Sequence, residues 1–461
     1  MNQKKVLYGF CVLLLSVMII VGFVSSAVAV DKPAAVAADK KPAAVVAAKK
    51  PVAVVAAKKP VAAVAAKKPV AAVAAKPINI GALNDMTGAT SDVGRDYALG
   101  IAEAIHYVND TGGINGKMIK LHQFDYGYRI PEALTKYKLF QRLGCIAVLG
   151  WGTGDTEALS PTVAKDKMPY VSASYSGHLT DPKKTPYNLF FATDYSTQSR
   201  GLVTAWFNKK WPTKPDFKKR KPRIACAYMT ASPFSSASIK AAKDQAALLG
   251  FDIGPDQDVS LFAIDTKSQI LALKEFKPDV VLHTNTVMSV AATLRDAYAL
   301  ELGADHIIKN WGFDENLSIL AGKAAEGAMG CAPWAFFGQD VKLMDKVKAY
   351  AQKYNPGIPL NKRTIHTVQA WANVLGLAEA LKRADKAGDL TGEGILKKGF
   401  ETMTDFEIGL GLAPVSFSVA DHRPQSKAKV YELKGGKFLL LDEVDLKKQW
   451  PDKWKNEWLG W

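Results

Sequence analysis

Catalytic signatures are what this chain has least of. Its 461 residues hold no G-x-S-x-G nucleophile turn, no H-E-x-x-H zinc helix, no C-x-x-C pair and no P-loop. There are four cysteines and seven histidines, none at metal-ligand spacing, so neither a metal centre nor any cofactor is expected. Gly150, Gly152 and Gly154 alternate as G-x-G-x-G, which is not the G-x-G-x-x-G of a dinucleotide site. Beyond the first thirty or so residues no apolar run is long enough to span a bilayer. The charge excess also means less than its size suggests. Of the net +16, Lys4 and Lys5 carry two, and ten Lys against two Asp in residues 31–76 carry eight. The remaining +6 is spread over Pro77 to Trp461, a weak argument for nucleic-acid binding.

The first residues read as an export signal. Lys4 and Lys5 precede a predominantly apolar run, Val6 to Val24, and Ala27-Val28-Ala29 supplies a small-residue cleavage site. The run is longer than the usual signal core, so an uncleaved anchor is the alternative. Cys11 lies too early for a lipoprotein cysteine. After cleavage at Ala29 an odd number of cysteines remains: Cys145, Cys226 and Cys331. Cys145 and Cys226 sit at or inside apolar strand patterns and read as buried thiols. One disulfide stays open, with no pairing legible.

From Pro33 the chain repeats every nine residues, at Pro33, Pro42, Pro51, Pro60 and Pro69. Each unit is rich in Ala, Val and Lys. A proline every nine residues stops a long helix, and the blocks lack large apolar side chains for a core. Residues 30–76 are therefore expected to be an extended spacer, long enough to reach roughly 130 Å if polyproline-like. Deleting Pro33 to Lys76 is expected to leave ligand affinity and thermal stability nearly unchanged. A large fall in either, by calorimetry, would mean that the spacer packs on the body.

The body begins near Pro77. Ile78 to Leu83 predicts a strand, Tyr97 to Asn109 a helix, Met118 to Asp125 a strand and Pro131 to Leu143 a helix. Ile146 to Leu149 predicts a further strand. A loop of small residues follows it, and Thr156 to Lys165 reads as helix despite Pro161. The pattern restarts with a helix from Gln198 to Asn208 and a basic, proline-broken loop from Lys209 to Arg223. After it come strands at Arg223–Met229, Asp279–Thr284 and Ile307–Trp311, with helices at Ser235–Leu249 and Val287–Leu302. A long helix from Thr364 to Arg383 and a β-rich end from Val415 to Leu441 complete the body. The last twelve residues hold four tryptophans, expected to pack back on it. Alternation of this kind predicts an α/β protein with two doubly wound, Rossmann-like lobes and a cleft between them.

The most informative stretch is Val148-Leu149-Gly150-Trp151-Gly152-Thr153-Gly154-Asp155-Thr156-Glu157. A strand end, a small-residue loop and a helix start present free N–H groups at a positive helix terminus, which suits a carboxylate. Val171 to Ser176 ends the next strand with more hydroxyls, and ligands of open α/β sheets bind at such strand ends. Asp155 and Glu157 could do acid/base work, but acids at a helix start more commonly just favour the dipole. An inventory of hydroxyls and aromatics with one or two acids suits reversible binding of a small polar molecule.

Several segments, taken in order, resemble one family. They are Ile80-Gly81-Ala82-Leu83 with Met86-Thr87-Gly88, Val108 to Gly116, Val148-Leu149-Gly150, Tyr170 to Ser174, Ala321 to Gly327, and Phe417-Ser418 with Asp421-His422-Arg423. Over residues 78–440 the chain resembles the type I periplasmic substrate-binding proteins of ABC transporters, in the leucine/isoleucine/valine-binding branch. The resemblance implies two lobes, 78–197 with 328–412 and 198–327 with 413–461, joined by three crossovers and closing on a solute. It implies no enzymatic activity, an inner-membrane ABC permease as partner and a periplasmic monomer without nucleic acid. In the family a loop hydroxyl and N–H groups hold the solute's carboxylate, which falls here on Thr153 and Gly154. Strand-end carbonyl and hydroxyl contacts fall on Ser174 and Ser176, aromatic walls on Tyr175 and Phe234, and an acid for an ammonium on Asp314. Trp151 and Trp311 add bulk. Thr286, in Thr284-Asn285-Thr286, stands where the family often has glycine and tyrosine. Amino acids, amides and small aromatic acids all remain open as ligands. A ligand sensor tethered to the membrane, with no role in transport, is the alternative function.

Overall fold

The computed structural model describes residues 76–461, so the expected signal (1–29) and all but the last residue of the expected spacer lie outside the described residues. Five strands form the first sheet: β1 (Ile78–Asn84), β2 (Ile119–Asp125), β3 (Ala147–Gly150), β4 (Tyr170–Ser172) and β5 (Asn188–Leu189). All are parallel, in the order β2-β1-β3-β4-β5. Parallel neighbours need crossovers, and helices α1 (Ser91–Asp110), α2 (Ile130–Arg142) and α3 (Thr153–Asp166) supply them. α1 is amphipathic. Val93, Tyr97, Ile101, Ala104, Ile105 and Val108 recur at helical spacing and are buried. β3, Ala-Val-Leu-Gly, is buried at every position, as a strand covered on both faces must be.

After α4 (Tyr195–Lys209) comes the second sheet: β6 (Arg223–Tyr228), β7 (Asp252–Asp258), β8 (Val280–His283), β9 (Asp305–Ile308), β10 (Met329–Cys331), β11 (Lys427–Lys434) and β12 (Lys437–Asp445). Its order is β12-β11-β10-β9-β8-β6-β7. The strands from β6 to β10 are parallel, and the β11–β12 hairpin adds an antiparallel edge. Helices α5 (Pro233–Ser236), α6 (Ile239–Leu248), α7 (Lys267–Phe276), α8 (Val287–Ala299) and α9 (Asn316–Ala321) belong to this lobe. α10 (Met344–Tyr354) and α11 (Ile365–Lys386) return to the first. α11 lies along α1. At its head Arg363 is buried and binds both oxygens of Glu103, at 2.7 and 2.9 Å, and Asp96 at 2.6 Å. The chain thus passes between lobes after β5, after β10 and before β11.

The structure departs from the expected elements in identifiable places. The expected strand 307–311 runs instead over Asp305–Ile308, with a 3-10 turn at Asn310–Gly312 that aims Trp311 into the cleft. β7, Asp-Ile-Gly-Pro-Asp-Gln-Asp, carries no strand signal. It is an edge strand, where Pro and charge are tolerated because one side needs no partner. α4 packs on the second sheet from Tyr195, and β10 belongs to that sheet, so the second lobe extends a few residues beyond 198 and 327. Cys145, Cys226 and Cys331 are buried free thiols. Trp454 and Trp458 are buried on the body, Trp458 beneath Arg200 at 4.3 Å, while Trp461 is half exposed. Among the described residues no helix is long and apolar enough to cross a membrane.

One buried pair makes the second lobe acid-sensitive. His283 on β8 and His306 on β9 share a 2.9 Å bond between Nε2 and Nδ1, which requires one donor and one acceptor. Burial pushes His306 down to about 4, and burial with the His306 charge pushes His283 down. The folded values lie below the unfolded one, so this stability is present above pH ~6.5 and is lost as the pH falls from there toward 4. For His306 the full shift corresponds to about 3 kcal/mol, and solvent at its partly exposed edge brings that to roughly half. Urea midpoints should fall over this window, and less steeply in His306→Gln. Equal slopes in parent and variant would show that the pair does not set the acid limb.

Candidate functional site

A narrow cavity lies between the carboxyl ends of the two sheets. From the first lobe it is lined by Thr90, Val93, Tyr128, Trp151, Gly152, Thr153 and Ala173, and from the second by Tyr195, Phe234, Thr286 and Trp311. No side chain in this lining carries a formal charge, and five are aromatic. The lobes touch around it. The Tyr195 hydroxyl reaches Ala173 O at 3.4 Å, Met288 N donates to Asp92 Oδ2 at 3.2 Å, and the rings of Trp151 and Trp311 meet edge-on at 5.0 Å. This is a closed cleft.

Local structure fixes each wall. Trp151 leaves β3 and donates from Nε1 to Thr90 Oγ1 at 2.9 Å, and Thr90 in turn donates to buried Asp85 at 2.8 Å. Gly152 permits the tight entry into α3, since a Cβ there would stand 2.3 Å from Asp155 Oδ1 and 2.5 Å from the Tyr128 ring. Tyr128 holds a left-handed φ of 58°, a conformation that costs a tyrosine energy and here turns its ring into the cavity. Thr153 opens α3, and its hydroxyl shares a 2.8 Å bond with Ser174 Oγ. From the other lobe Trp311 donates to the Tyr195 hydroxyl at 2.7 Å. Its indole stacks on His366 (5.0 Å) and lies parallel to Tyr175 (5.9 Å).

Of the expected site residues, Trp151, Thr153, Phe234 and Thr286 line the cavity. Thr286 brings a buried hydroxyl that faces the Asp92 carboxylate outside ideal hydrogen-bond geometry. Ser174 stands behind Thr153, and Tyr175 is buried behind Trp311. Gly154 is outside the lining, where a Cβ would lie 3.4 Å from Ile130 and 3.5 Å from Pro233. Ser176 points away and donates to Glu157 at 3.2 Å. The reading of Asp314 as a ligand for an ammonium needs correction. Asp314 is wholly buried outside the cavity lining, with Oδ2 2.8 Å from His366 Nε2 and Oδ1 accepting from Asn316 N at 2.8 Å. His366 lies 52 positions away on a helix of the other lobe, and no sequence spacing announces such a partner. His366 Nδ1 meets Gln369 Oε1 at 2.7 Å, so both ring nitrogens face acceptors. Burial alone would lower His366, but the Asp314 hydrogen bond and charge raise it above its ordinary value.

Two other acids stand close by. Asp155 accepts from the Tyr126 hydroxyl at 2.7 Å, and burial pushes it up to about 7. Asp92 has one buried oxygen without a partner, and burial pushes it up to about 6. Neither lines the cavity. Trp311, expected to add bulk beside Trp151, lines the cavity, while sequence reasoning missed Thr90, Tyr128 and Tyr195. None of these three gave a signal in the spacing around it.

The fold and cleft have counterparts among known proteins. A periplasmic binding protein family model matches residues 77–437. A substrate-binding protein of an ABC transporter from Aeropyrum pernix is 30% identical, aligning over 80% of this chain and 96% of its own with a TM-score of 0.70. A branched chain amino acid ABC transporter protein from Thermus thermophilus, solved with bound valine, is 22% identical, aligning over 81% and 99% with a TM-score of 0.72. A solute binding protein from R. palustris, solved in complex with benzoate, is 18% identical, aligning over 80% and 96% with a TM-score of 0.66. No curated protein matches. Two doubly wound lobes closed on one cavity, with a family match over most of the chain, have a single meaning: this chain belongs to the periplasmic binding proteins, among the substrate-binding proteins of ABC transporters.

Proposed function

We propose that this protein captures a small, flat carboxylic acid with an apolar body in the periplasm and delivers it to an inner-membrane ABC permease. The observation that carries this reading is a lining of five aromatic rings and three threonines with no charged side chain. An ammonium in that cavity would lack a direct carboxylate partner, and an unpaired buried charge is costly. A carboxylate has partners available: the Thr153 hydroxyl and N–H groups at the start of α3. A relative of the same fold was solved with benzoate.

An amino acid is the second reading. The unpartnered oxygen of Asp92 favours it, because Asp92 adjoins lining residue Val93 and bridges to the other lobe. Mass spectrometry of what leaves the denatured protein separates the two readings: an aromatic or aliphatic acid without an amine supports the first, an amino acid the second. Thr153→Ala should weaken a carboxylate by roughly tenfold, the worth of one hydrogen bond to a charged group with the backbone donors left in place. An unchanged calorimetric Kd would remove α3 from the binding scheme. Export through the segment at 1–29 belongs to this proposal, and an N-terminus at Val30 in the exported protein would support it over a tethered sensor.

A further inference from the structure

Lys309, between β9 and the Trp311 turn, is completely buried. Its Nζ donates to the carbonyl of Phe234 at 3.1 Å and stands 3.8 Å from the ring centroid of Tyr195 and 4.5 Å from that of Phe234. Both rings line the cavity, and Lys309 does not. Among the described residues no carboxylate lies within ion-pair distance of it. Asp194, at the head of α4, is tied to the Thr197 N–H and hydroxyl. The Tyr195 hydroxyl bonds Trp311 and Ala173, Asp314 bonds His366, and His283 on β8 gives its ring to His306 and only its carbonyl to the Lys309 N–H. An ammonium with three donors, one carbonyl acceptor and no counter-ion is an expensive group to bury. Burial accordingly pushes Lys309 well below the ordinary lysine range.

We infer that Lys309 is a hidden counter-charge for an anionic solute, neutral behind the Tyr195 and Phe234 rings when the cleft is empty and protonated when a carboxylate occupies it. This rests on the carboxylic-acid reading above. When the anion enters, the amine takes one proton from a buffer acid: one N–H bond forms, the donor's bond to that hydrogen breaks, and the buffer is left as its conjugate base. The two rings offer the new ammonium a cation–π seat on the side away from the solute. An anion about a ring's thickness away in a low-dielectric site raises the proton affinity of the amine by roughly ten- to a hundredfold. Lys309 therefore contributes specificity. It strengthens the binding of an acid and leaves that of the matching amide unchanged.

Calorimetry of the full chain with benzoate and with benzamide, in buffers of different ionisation enthalpy, tests the inference. Benzoate should bind with uptake of a substantial fraction of one proton, and more tightly as the pH falls from 9 toward 7. Lys309→Met should abolish the uptake, weaken benzoate at least tenfold and change benzamide by no more than about twofold. Equal benzoate enthalpies in all buffers, or an equal benzoate Kd in K309M, would overturn it. A second measurement needs neither ligand nor a stable variant at every pH. In protein labelled at the lysine ε-carbon, the resonance missing from K309M should titrate below those of the surface lysines, and its titration with them would also overturn the inference. If the parent binds no aromatic carboxylate at all, the solute class is wrong and the counter-charge falls with it. If the parent binds benzoate and K309M binds it as well, the solute class stands and only the counter-charge is lost.

Discussion

Asp314→Asn is expected to cost this protein about 3–5 kcal/mol at pH 6, because it leaves a buried imidazolium without its carboxylate. Both side chains are fully buried 2.8 Å apart. The pH dependence identifies the cause. The Asp314 hydrogen bond and charge hold His366 above its unfolded value of about 6.5, against the opposing effect of burial. A raised folded value means that the pair's stabilisation is fully present below pH ~6.5 and is lost as the pH rises through the folded value. The gap between parent and variant in urea unfolding should therefore be widest near pH 6 and narrow on the alkaline side. Asp314 follows the Trp311 turn in the second lobe and His366 opens α11 in the first, so part of the loss should appear as an open form in small-angle scattering. A variant that stays closed and equally stable, yet binds a cationic solute more weakly, would restore Asp314 as a ligand group.

Trp311→Ala should be the most damaging change to binding, with affinity lower by a hundredfold or more. The indole is buried, lines the cavity and touches the rings of Trp151, Tyr97, Tyr175 and His366. Truncating a buried tryptophan costs about 3–5 kcal/mol in lost contacts and cavity, and here the void opens into the ligand space. It also removes the donor to the Tyr195 hydroxyl, which positions the ring in front of Lys309. Trp311→Phe keeps a ring and loses only that hydrogen bond, so its cost should be nearer tenfold. Both constants come from calorimetry on folded protein. An alanine variant with parental affinity would show that the second lobe's wall does not touch the solute.

The α/β alternation was legible because it lies in local patterns. The apolar run at 146–149, the helical spacing from Tyr97 to Val108 and the small-residue turn at 150–154 each encode one element without reference to distant residues, although α1 begins six residues before Tyr97, at Ser91. β7 was not legible, since its Gly, Pro and charges spell a loop and only its edge position lets it pair. Part of the first-lobe site was readable for the same reason: Trp151 and Thr153 stand at a strand end facing a helix start, and such ends face the cleft in any doubly wound sheet.

By itself, then, the sequence determined the order of strands and helices, the two-lobe class and the loop that opens α3, because these follow from periodicity and from glycine and proline chemistry over a few neighbouring residues. Only the tertiary structure decided what the acids and the lysine do. Asp314 reads alone as a free carboxylate and is spent on His366 across the cleft. Lys309 lies inside the expected strand 307–311 with nothing to single it out, and is sealed behind two aromatic rings without a counter-ion. The state of an ionisable group depends on its solvent and on partners that folding brings from fifty or more residues away, and neither is written in the spacing around it.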